Sequence, residues 1–473
     1  MEYQQTSIIP IKPIFFNNKT NRLMNWEFKS NNDLDLKAIA TFSCLGFMLD
    51  QDTFYSDIKV IRPSTKVTLK NNTIIGSEKI WFWHYEPAER SFTDIVDEFT
   101  EIFEKNVYNE TNGKKILLPI SGGLDSRSLF VSLKDKSNLT LSAYEFEEGI
   151  NEICYGKELS DKFQIPLYAQ KIPKSYLWNK LDQIADLNGC FTEFTQPRQM
   201  AAIDNWKSLG DKILLGHWGD VLFDKQANSN YISYDEEINA LKKKILNPGG
   251  MEIATDLWKY WNLGGSFESY IADRLDILYS GINIDHSSAR MRAFKSLYWA
   301  PRWTSINVNI FSELGELVLP YYSDEMCKFI CRIPERHLKE RKIQIEYIKR
   351  YCPEAASIIW QQYSPLDLYQ YKRYDHPAYY PVRIARKLKR MISKGIFKSP
   401  ELFTMNWELQ FLGKVNMFHL KKNLLEQNKL SKIIPENIIR DYLKKFQANP
   451  VKYAYPLSML LTLAIFSNKH YQK

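Results

Sequence analysis

Short apolar runs alternate with amphipathic segments between residues 114 and 215. The apolar runs predict β-strands over the ranges 116–120, 139–146, 167–172 and 212–215. The segments between them predict helices over the ranges 126–133, 155–163 and 199–208. Strands of this length separated by helices are typical of a parallel, doubly wound α/β sheet with crossover helices.

The pattern differs on both sides of this region. A β-hairpin is predicted for 66–69 and 73–75 around Asn71-Asn72, and an amphipathic helix for 92–107. Beyond residue 235 the chain is mostly helical in pattern, no strand alternation persists, and the apolar stretch 456–466 predicts a packing helix. We expect three parts: a β-rich N-terminal domain (1–90), a central domain (91–400) and a C-terminal helical extension (401–473).

Composition narrows the class of protein. With 473 residues, of which 44% are hydrophobic and 25% charged, the chain is long enough for two or three buried cores. A net charge of +8 is modest for this length, so Lys- and Arg-rich stretches such as 242–244 and 383–390 indicate solvated helix faces and no nucleic-acid partner.

Other sequence features indicate where the protein works. The longest apolar stretch is too short to cross a bilayer, and the N-terminus lacks a secretory pattern, so we expect no membrane association. Six cysteines are scattered without the short spacing of a zinc knuckle or redox pair. These features favour a reduced, cytoplasmic setting.

The segment from 116 to 127 carries the strongest chemical signal, because an apolar strand enters the turn Ser-Gly-Gly-Leu-Asp-Ser and then a helix. The turn and the helix N-terminus present backbone N–H groups to a phosphate. Gly122 and Gly123 allow close backbone approach, whereas Ser121 and Ser126 supply hydroxyls. Asp125 is a hard oxygen ligand for Mg²⁺. The segment lacks the Lys and the glycine spacing of a Walker phosphate loop.

A second segment, 214–223, is again a short apolar strand that ends in a turn containing an acid, Asp220. In an open parallel sheet, ligands lie outside the carboxyl ends of the strands, so the two turns are expected to meet at one nucleotide. Asp220 would then share Mg²⁺ with Asp125. The alternative is that Asp220 only forms the turn.

These two segments resemble the pyrophosphate loop and the Gly-Glu-Gly-x-Asp-Glu-Leu-Phe signature of the asparagine-synthetase family, which includes β-lactam synthetases and lasso-peptide cyclases. The resemblance covers nearly the whole chain, with weaker matches at 45–69, 319–324, 333–336 and 342–353. It implies an adenine-nucleotide α-hydrolase-like synthetase domain that uses ATP and Mg²⁺. In such enzymes a carboxylate is adenylated, and ammonia or an amine then displaces AMP.

The resemblance also implies roles for individual residues. The pyrophosphate would be held by Ser121, Gly122, Gly123 and Ser126, and the metal by Asp125 and Asp220. Gly216 would lie beside the nucleoside. Lys342 would clamp the pyrophosphate, although a surface lysine on a helix is an equal alternative.

The chain departs from the family pattern at three places. Glu2 follows Met1, and the first cysteine is Cys44, so a truncated glutaminase-like domain without the nucleophilic cysteine is expected. His217 replaces a Glu or Tyr of the family and is either a general base or a structural histidine. Gln362 stands where the family has a late lysine, and Lys372 lies nearby.

The sequence therefore predicts an amidoligase that joins a carboxylate to an amine or to ammonia, the ammonia coming from elsewhere, for example from a separate glutaminase subunit. The alternatives are a lactam-forming cyclase and a catalytically degenerate nucleotide-binding protein. The aromatic-rich helical half would tolerate a homodimer interface. Its tryptophans, among them Trp258, Trp261, Trp299 and Trp303, are expected to pack in the core, with a substrate pocket as the alternative.

Overall fold

The computed structural model describes residues 2–25, 33–147, 151–227, 233–385, 388, 410–426 and 429–471. The predicted domain boundary at residue 400 lies outside these residues, as does part of the basic stretch 383–390. The division into 1–90, 91–400 and 401–473 stays a prediction. Buried side chains from the first ninety residues belong to the same hydrophobic cluster as those of the central sheet and of the C-terminal helices.

The β-strands are short, and most of them lie in the first half of the chain. They are β1 (Glu2–Gln5), β2 (Phe15–Asn17), β3 (Leu23–Met24), β4 (Ile58–Val60), β5 (Thr65–Lys70), β6 (Thr73–Lys79), β7 (Ile116–Pro119), β8 (Leu139–Phe146), β9 (Leu167–Ile172), β10 (Lys212–Leu214) and β11 (Glu316–Val318).

The α-helices dominate the second half, as the sequence predicts. They are α1 (Leu36–Leu45), α2 (Phe92–Thr111), α3 (Leu124–Ser132), α4 (Ile153–Phe163), α5 (Tyr176–Asn188), α6 (Ile203–Trp206), α7 (Gly219–Phe223), α8 (Tyr234–Ile245), α9 (Gly250–Tyr260), α10 (Phe267–Ser280), α11 (Ser287–Phe294), α12 (Ser305–Val308), α13 (Asp324–Ile330), α14 (Lys342–Tyr351), α15 (Pro353–Ala356), α16 (Lys414–Leu425), α17 (Glu436–Ala448) and α18 (Pro450–Lys469). A π-helix, Lys295–Thr304, joins α11 to α12.

The central sheet has the strand order β11-β10-β7-β8-β9, and every neighbouring pair is parallel. The prediction of an α/β domain with a parallel sheet is therefore confirmed. From β7 the chain moves outward in one direction through β8 and β9, then returns to the other side of β7 to add β10 and β11. The strand order thus reverses between β7 and β10, and such a position leaves a crevice at the carboxyl ends of the strands.

The N-terminal part contains two small antiparallel sheets, with the orders β1-β5-β6 and β3-β2-β4. The predicted hairpin is confirmed as β5 and β6, with Asn71 and Asn72 both at positive φ in the turn. Phe54 from this region stacks on Phe466 of α18 with ring centroids 3.8 Å apart. The C-terminal helix therefore packs directly on the N-terminal part of the chain, at the connection between α1 and β4.

Some predicted elements differ from the observed ones. The helix predicted for 199–208 is two short pieces, the 3₁₀ turn Arg198–Ala201 and then α6. Strand β11 lies within the half predicted to be helical; its three residues are too few to show alternation, and parallel pairing with β10 fixes them as a strand. Helix α5 was not predicted. None of the described helices is both long enough and apolar enough to cross a membrane.

The Phe54–Phe466 stack gives a test of how the C-terminal helix is held. Phe466 is 1% exposed, so Phe466→Ala should lower the free energy of unfolding by about 3–5 kcal/mol through lost contacts and the cavity left behind. Phe418→Ala is the control, because this side chain is 62% exposed and its loss should cost no more than about 0.5 kcal/mol. Urea unfolding followed by circular dichroism measures both, and equal losses would contradict the packing.

Candidate active site

A cavity of about 490 Å³ opens at the carboxyl ends of β7, β8 and β10. Strand ends contribute part of its wall, and the turns after β7 and β10 contribute the rest. Six of the residues that the sequence predicts for the site line this cavity together: Ser121, Asp125, Ser126, Gly216, His217 and Asp220. The convergence expected from the two motifs is therefore present in the fold.

The turn after β7 is ordered by its own hydroxyl groups. The backbone N–H of Ser121 donates to Oγ of Ser126 at 3.2 Å, and the N–H of Gly123 donates to Oγ of Ser121 at 3.3 Å. Gly123 precedes the first residue of α3, and no side chain caps that helix start. The N–H groups of the first turn of α3 thus have no capping side chain, as an anion-binding helix N-terminus requires.

Position 122 requires glycine because of packing against protein, whereas the sequence predicted a close approach to a phosphate. A Cβ atom there would lie 2.5 Å from Cβ of Gln361 and 2.8 Å from the ring of Tyr155. The N–H of Gln361 also donates to the carbonyl of Gly122 at 3.1 Å. Gly122 is buried and does not line the cavity, so close packing against protein requires this glycine.

A buried arginine fixes the segment that covers the turn. Arg127 of α3 is 1% exposed and donates to the carbonyls of Ala355, Ile358 and Ile359 at 3.3, 2.9 and 2.8 Å. These carbonyls lie just before Gln361. Because a buried guanidinium must keep its hydrogen bonds, Arg127 holds the 355–359 segment, and with it the Gln361 contact, in place.

The turn after β10 packs against the turn after β7 without side chains between them. A Cβ atom on Gly216 would lie 3.0 Å from Cβ of Asp125 and from the amide nitrogen of Ser126. A Cβ atom on Gly219 would collide with the carboxylate of Asp125 and lie 2.9 Å from the ring of Tyr321. The turn after β10 can therefore lie this close to Asp125 only with glycine at both positions. The role of Gly216 beside a nucleoside stays a prediction.

Trp218, between these glycines, has an unusual backbone. Its φ is 80°, in the left-handed region that bulky residues rarely adopt, at a cost of about 1–3 kcal/mol. The signature quoted above has its second glycine at this position. The indole is buried and donates to Oγ of Ser296 at 3.0 Å, which helps to offset the strain. Backbone strain of this kind concentrates at functional sites.

Asp125 is held by two side chains that both bond its Oδ1. Nη2 of Arg341 forms an ion pair with it, and Nε2 of Gln344 donates to it at 2.9 Å. Burial raises the pKa of Asp125 to about 6, the nearby charge of Asp220 also raises it, and Arg341 lowers it. Asp125 is thus a partly desolvated carboxylate beside a second carboxylate, Asp220. A further cation would stabilise the negative charge of this pair.

Arg341 is a residue that the sequence analysis missed. It directly precedes the predicted clamp, Lys342, which begins α14 and does not line the cavity. Glu340 and Arg341 have φ values of 62° and 59°, so the chain makes two successive left-handed steps before α14. No pattern in the sequence distinguishes Arg341 from Lys342, because the helix register and these two steps decide which cation reaches Asp125.

His217 lines the cavity as an uncharged imidazole. Desolvation lowers its pKa to about 4, against the opposing effect of Asp220. Its Nδ1 is buried and has no hydrogen-bond partner among the described residues. An imidazole with so low a pKa is a weak proton acceptor, and both interpretations, general base and structural histidine, stay open.

Lys295, at the start of the π-helix, is a second residue that the sequence analysis missed. It is the one lysine or arginine among the described residues that line the cavity. Its Nζ donates to Oε1 of Gln226 at 2.9 Å, and burial lowers its pKa to about 8. Gln362 and Lys372 are both exposed and do not line the cavity. The lysine of the cavity thus comes from the π-helix, and not from the segment around Gln362 and Lys372 in which the family lysine was expected.

The acidic groups of the site suit Mg²⁺ better than a metal that needs a complete set of protein ligands. Within the part of the chain that the structure describes, no group of three or more His, Cys, Asp or Glu side chains is placed to hold a metal ion. Three acids, Asp125, Glu152 and Asp220, are among the described residues that line the cavity, and Asp125 and Asp220 lie on the two motif turns. Mg²⁺ is commonly bound by one or two carboxylates, with water and substrate phosphates as the other ligands.

Comparison with known proteins identifies no family: no family model matches the chain, and no curated protein matches it. The geometry of the cavity and the two motifs that form it are therefore the basis for assigning a function. The main elements of the cavity are the hydroxyl-ordered turn at α3, the carboxylates of Asp125 and Asp220, and Lys295.

The desolvated His217 predicts a dependence of stability on pH. Its pKa in the folded protein, about 4, lies below the ordinary value of 6.5, so the unfolded chain binds this proton more strongly. The stability contributed by the neutral imidazole is present above pH 6.5 and is lost as the pH falls toward 4. Over this range the wild type should lose more unfolding free energy than His217→Gln, as measured by urea unfolding at several pH values.

His376→Gln is the matched control for this experiment, because the side chain of His376 is exposed. Replacing this exposed side chain removes no buried group, so this variant should follow the wild type more closely than His217→Gln does. Parallel curves for the wild type and His217→Gln would contradict the desolvation of His217.

Proposed function

We propose that this chain is an ATP-dependent carbon–nitrogen ligase of the asparagine-synthetase type, which releases pyrophosphate and AMP. The observation that carries the proposal is the meeting of the Ser121–Ser126 turn with Asp220 in one cavity at the carboxyl ends of the central strands. A strand, a glycine turn and an uncapped helix start form a binding site for phosphates, and the second carboxylate completes a site for Mg²⁺.

The sheet topology supports the finer assignment of the fold. With β7 at the centre, β8 and β9 on one side, and β10 and β11 on the other, the strand order is compatible with a doubly wound sheet. Nucleotides bind such sheets where the order reverses, which here is the crevice between β7 and β10. We therefore assign the central domain to the adenine-nucleotide α-hydrolase-like type.

The nucleotide would lie across the strand ends. Ile120, Ser142 and Ala143 line the cavity beside the turn and offer a mainly apolar surface for the adenine ring. The turn would hold the β- and γ-phosphates through the N–H groups at the start of α3 and the hydroxyls of Ser121 and Ser126. Preorganised donors of this kind stabilise the charge of departing pyrophosphate.

Asp125 and Asp220 would hold Mg²⁺. When bound, the ion neutralises charge on the phosphates. Both hydrogen bonds to Asp125 described above end on Oδ1, so Arg341 and Gln344 orient the carboxylate while Oδ2 takes no part in these two contacts. Arg341 lies nearer to this centre than Lys342, and a clamping role for Lys342 stays a weaker proposal.

The reaction would proceed in two substitutions. A carboxylate oxygen of the acyl substrate forms a bond to the α-phosphorus, and the bond from that phosphorus to the bridging oxygen breaks to release pyrophosphate. The nitrogen of ammonia or an amine then bonds the acyl carbon, the bond from that carbon to the AMP oxygen breaks, and the nitrogen loses a proton. His217, with a pKa of about 4, is a weak acceptor for this proton, so the proton would pass to solvent, and the amine would enter as the free base.

The nitrogen donor would come from outside this chain, either as an amine or as ammonia from a separate glutaminase subunit. The dependence on ATP fits a cytoplasmic enzyme. These assignments depend on the proposed activity.

The test is pyrophosphate release from Mg²⁺-ATP over a panel of carboxylates and amines. Asp125→Ala should lower the rate by about 100-fold, since it removes a group that acts on the leaving pyrophosphate. Asp135→Ala is the control: Asp135 is an exposed acid outside the cavity whose hydrogen bond is to the N–H of Ser137. An unchanged rate in Asp125→Ala, or release of ADP in place of AMP, would refute the proposal.

ATP binding, measured by calorimetry with Mg²⁺ present, distinguishes the ligase from a nucleotide-binding protein without catalysis. Binding that depends on Asp125 without pyrophosphate release for any panel member would favour the non-catalytic nucleotide-binding protein.

A further inference from the structure

Part of the cavity wall is aromatic. This part contains Tyr144 of β8, Trp299 and Trp303 of the π-helix, and Phe311 of the following 3₁₀ turn. Trp299 and Trp303 meet edge to face with ring centroids 6.0 Å apart. The expectation that these two tryptophans serve only to pack the core is therefore incomplete. Trp258, by contrast, is a core residue with 2% exposure.

Neighbouring elements fix the aromatic wall. Phe47 stacks on Trp299 with centroids 6.0 Å apart and an angle of 8° between the rings. The side-chain amide of Asn307 donates to the carbonyl of Trp303 at 3.0 Å. A wall held in this way offers flat surfaces to a ligand without the entropy loss of ordering flexible side chains.

Lys295 lies beside this wall and is tied to the Asp220 turn. Its Nζ is 5.4 Å from the ring centroid of Trp299 and donates to Oε1 of Gln226. Nε2 of Gln226 in turn donates to the carbonyls of Asp220 and Asp224, at 3.1 Å each. Gln226 therefore sets the position of the Lys295 ammonium relative to the candidate Mg²⁺ ligand.

The charges of the cavity limit the substrate. Asp125, Glu152 and Asp220 are the acids among the described lining residues, and Lys295 is the one lysine or arginine. Arg341 already pairs with Asp125 from outside the lining. A single substrate carboxylate can be matched by Lys295, whereas a second carboxylate, as in aspartate or glutamate, would find no second lysine or arginine among the described lining residues.

We propose that the acyl substrate is a monocarboxylic acid with an aromatic ring, its carboxylate facing Lys295 and its ring lying against Trp299 and Trp303. This inference rests on the ligase activity proposed above and names the class of acid on which that activity works. Lys295 holds the carboxylate beside the nucleotide and takes no part in the bond changes. Stacked or edge-to-face rings add to the affinity beyond the area that they bury.

The experiment is carboxylate-dependent exchange of labelled pyrophosphate into ATP by the full chain with Mg²⁺. The probes are benzoate, phenylacetate, cinnamate and 4-hydroxybenzoate, compared with L-aspartate, L-glutamate and acetate. We expect at least one aromatic acid to give kcat/KM at least about 10-fold above that of every non-aromatic acid, which corresponds to the energy of one good ring contact together with its buried area. Faster exchange with aspartate, glutamate or acetate, or exchange with none of the aromatic acids, overturns the proposal.

Paired variants test the two contacts separately. Trp303→Leu should raise KM for the preferred acid by about 10-fold with little change in kcat, since it removes ring contacts. Its control is Trp261→Leu, a partly buried tryptophan outside the cavity that donates to the carbonyl of Ile433. Equal KM values for the two variants would overturn the placement of the ring.

Lys295→Gln should lower kcat/KM by about 100-fold, and Lys295→Arg should restore most of it, because a cation opposite the carboxylate is what the site requires. Lys136→Gln is the control, since Lys136 also lies over an aromatic ring, with its Nζ 5.0 Å from the centroid of Phe130, and burial also lowers its pKa. A loss that Lys295→Arg does not reverse would argue against a role in binding the carboxylate.

The results distinguish failure of the aromatic-acid inference from failure of the proposed ligase function. If Mg²⁺-ATP binds in a manner that depends on Asp125, and exchange occurs with a non-aromatic acid alone, the substrate class is wrong and the ligase remains. If Mg²⁺-ATP does not bind, the proposed function itself is wrong.

Discussion

The close approach of two backbone turns is the constraint on which the site depends. Gly216 and Gly219, after β10, leave no side chain between their own turn and Asp125, after β7. This packing brings a second carboxylate, Asp220, into the same cavity and removes part of the water around Asp125. Burial and the charge of Asp220 both raise the pKa of Asp125, so the raised pKa is a consequence of that approach.

Long-range contacts hold the rest of the site in place. The guanidinium of Arg127 bonds three carbonyls of a segment more than two hundred positions away, and that segment covers Gly122. Gln226 connects the Asp220 turn to Lys295 on the π-helix. A π-helix widens the turn and changes which side chains share a face, and such segments are frequent at functional sites. Elements from both halves of the chain therefore define one cavity.

The sequence predicted what local pattern can determine. The parallel sheet and the turn at Ser121–Ser126 follow from apolar runs, glycine turns and helix starts that lie next to one another in the chain. Arg341 and Lys295 were missed because their positions depend on two left-handed residues and on a π-helix, which hydrophobic periodicity does not reveal. Strand β11 was missed because pairing with β10, and not its own short sequence, makes it a strand.

The contact between the α1–β4 connection and the end of the last helix has a consequence for folding kinetics. The hydroxyl of Tyr55 donates to the carbonyl of His470, across a separation of 415 positions. Contacts of such high sequence separation form late, because closing so long a loop costs entropy that few early contacts offset. The surface of Phe54 that Phe466 covers therefore stays accessible until synthesis has passed residue 466. In a cell, this interval is when chaperone binding and aggregation compete with folding.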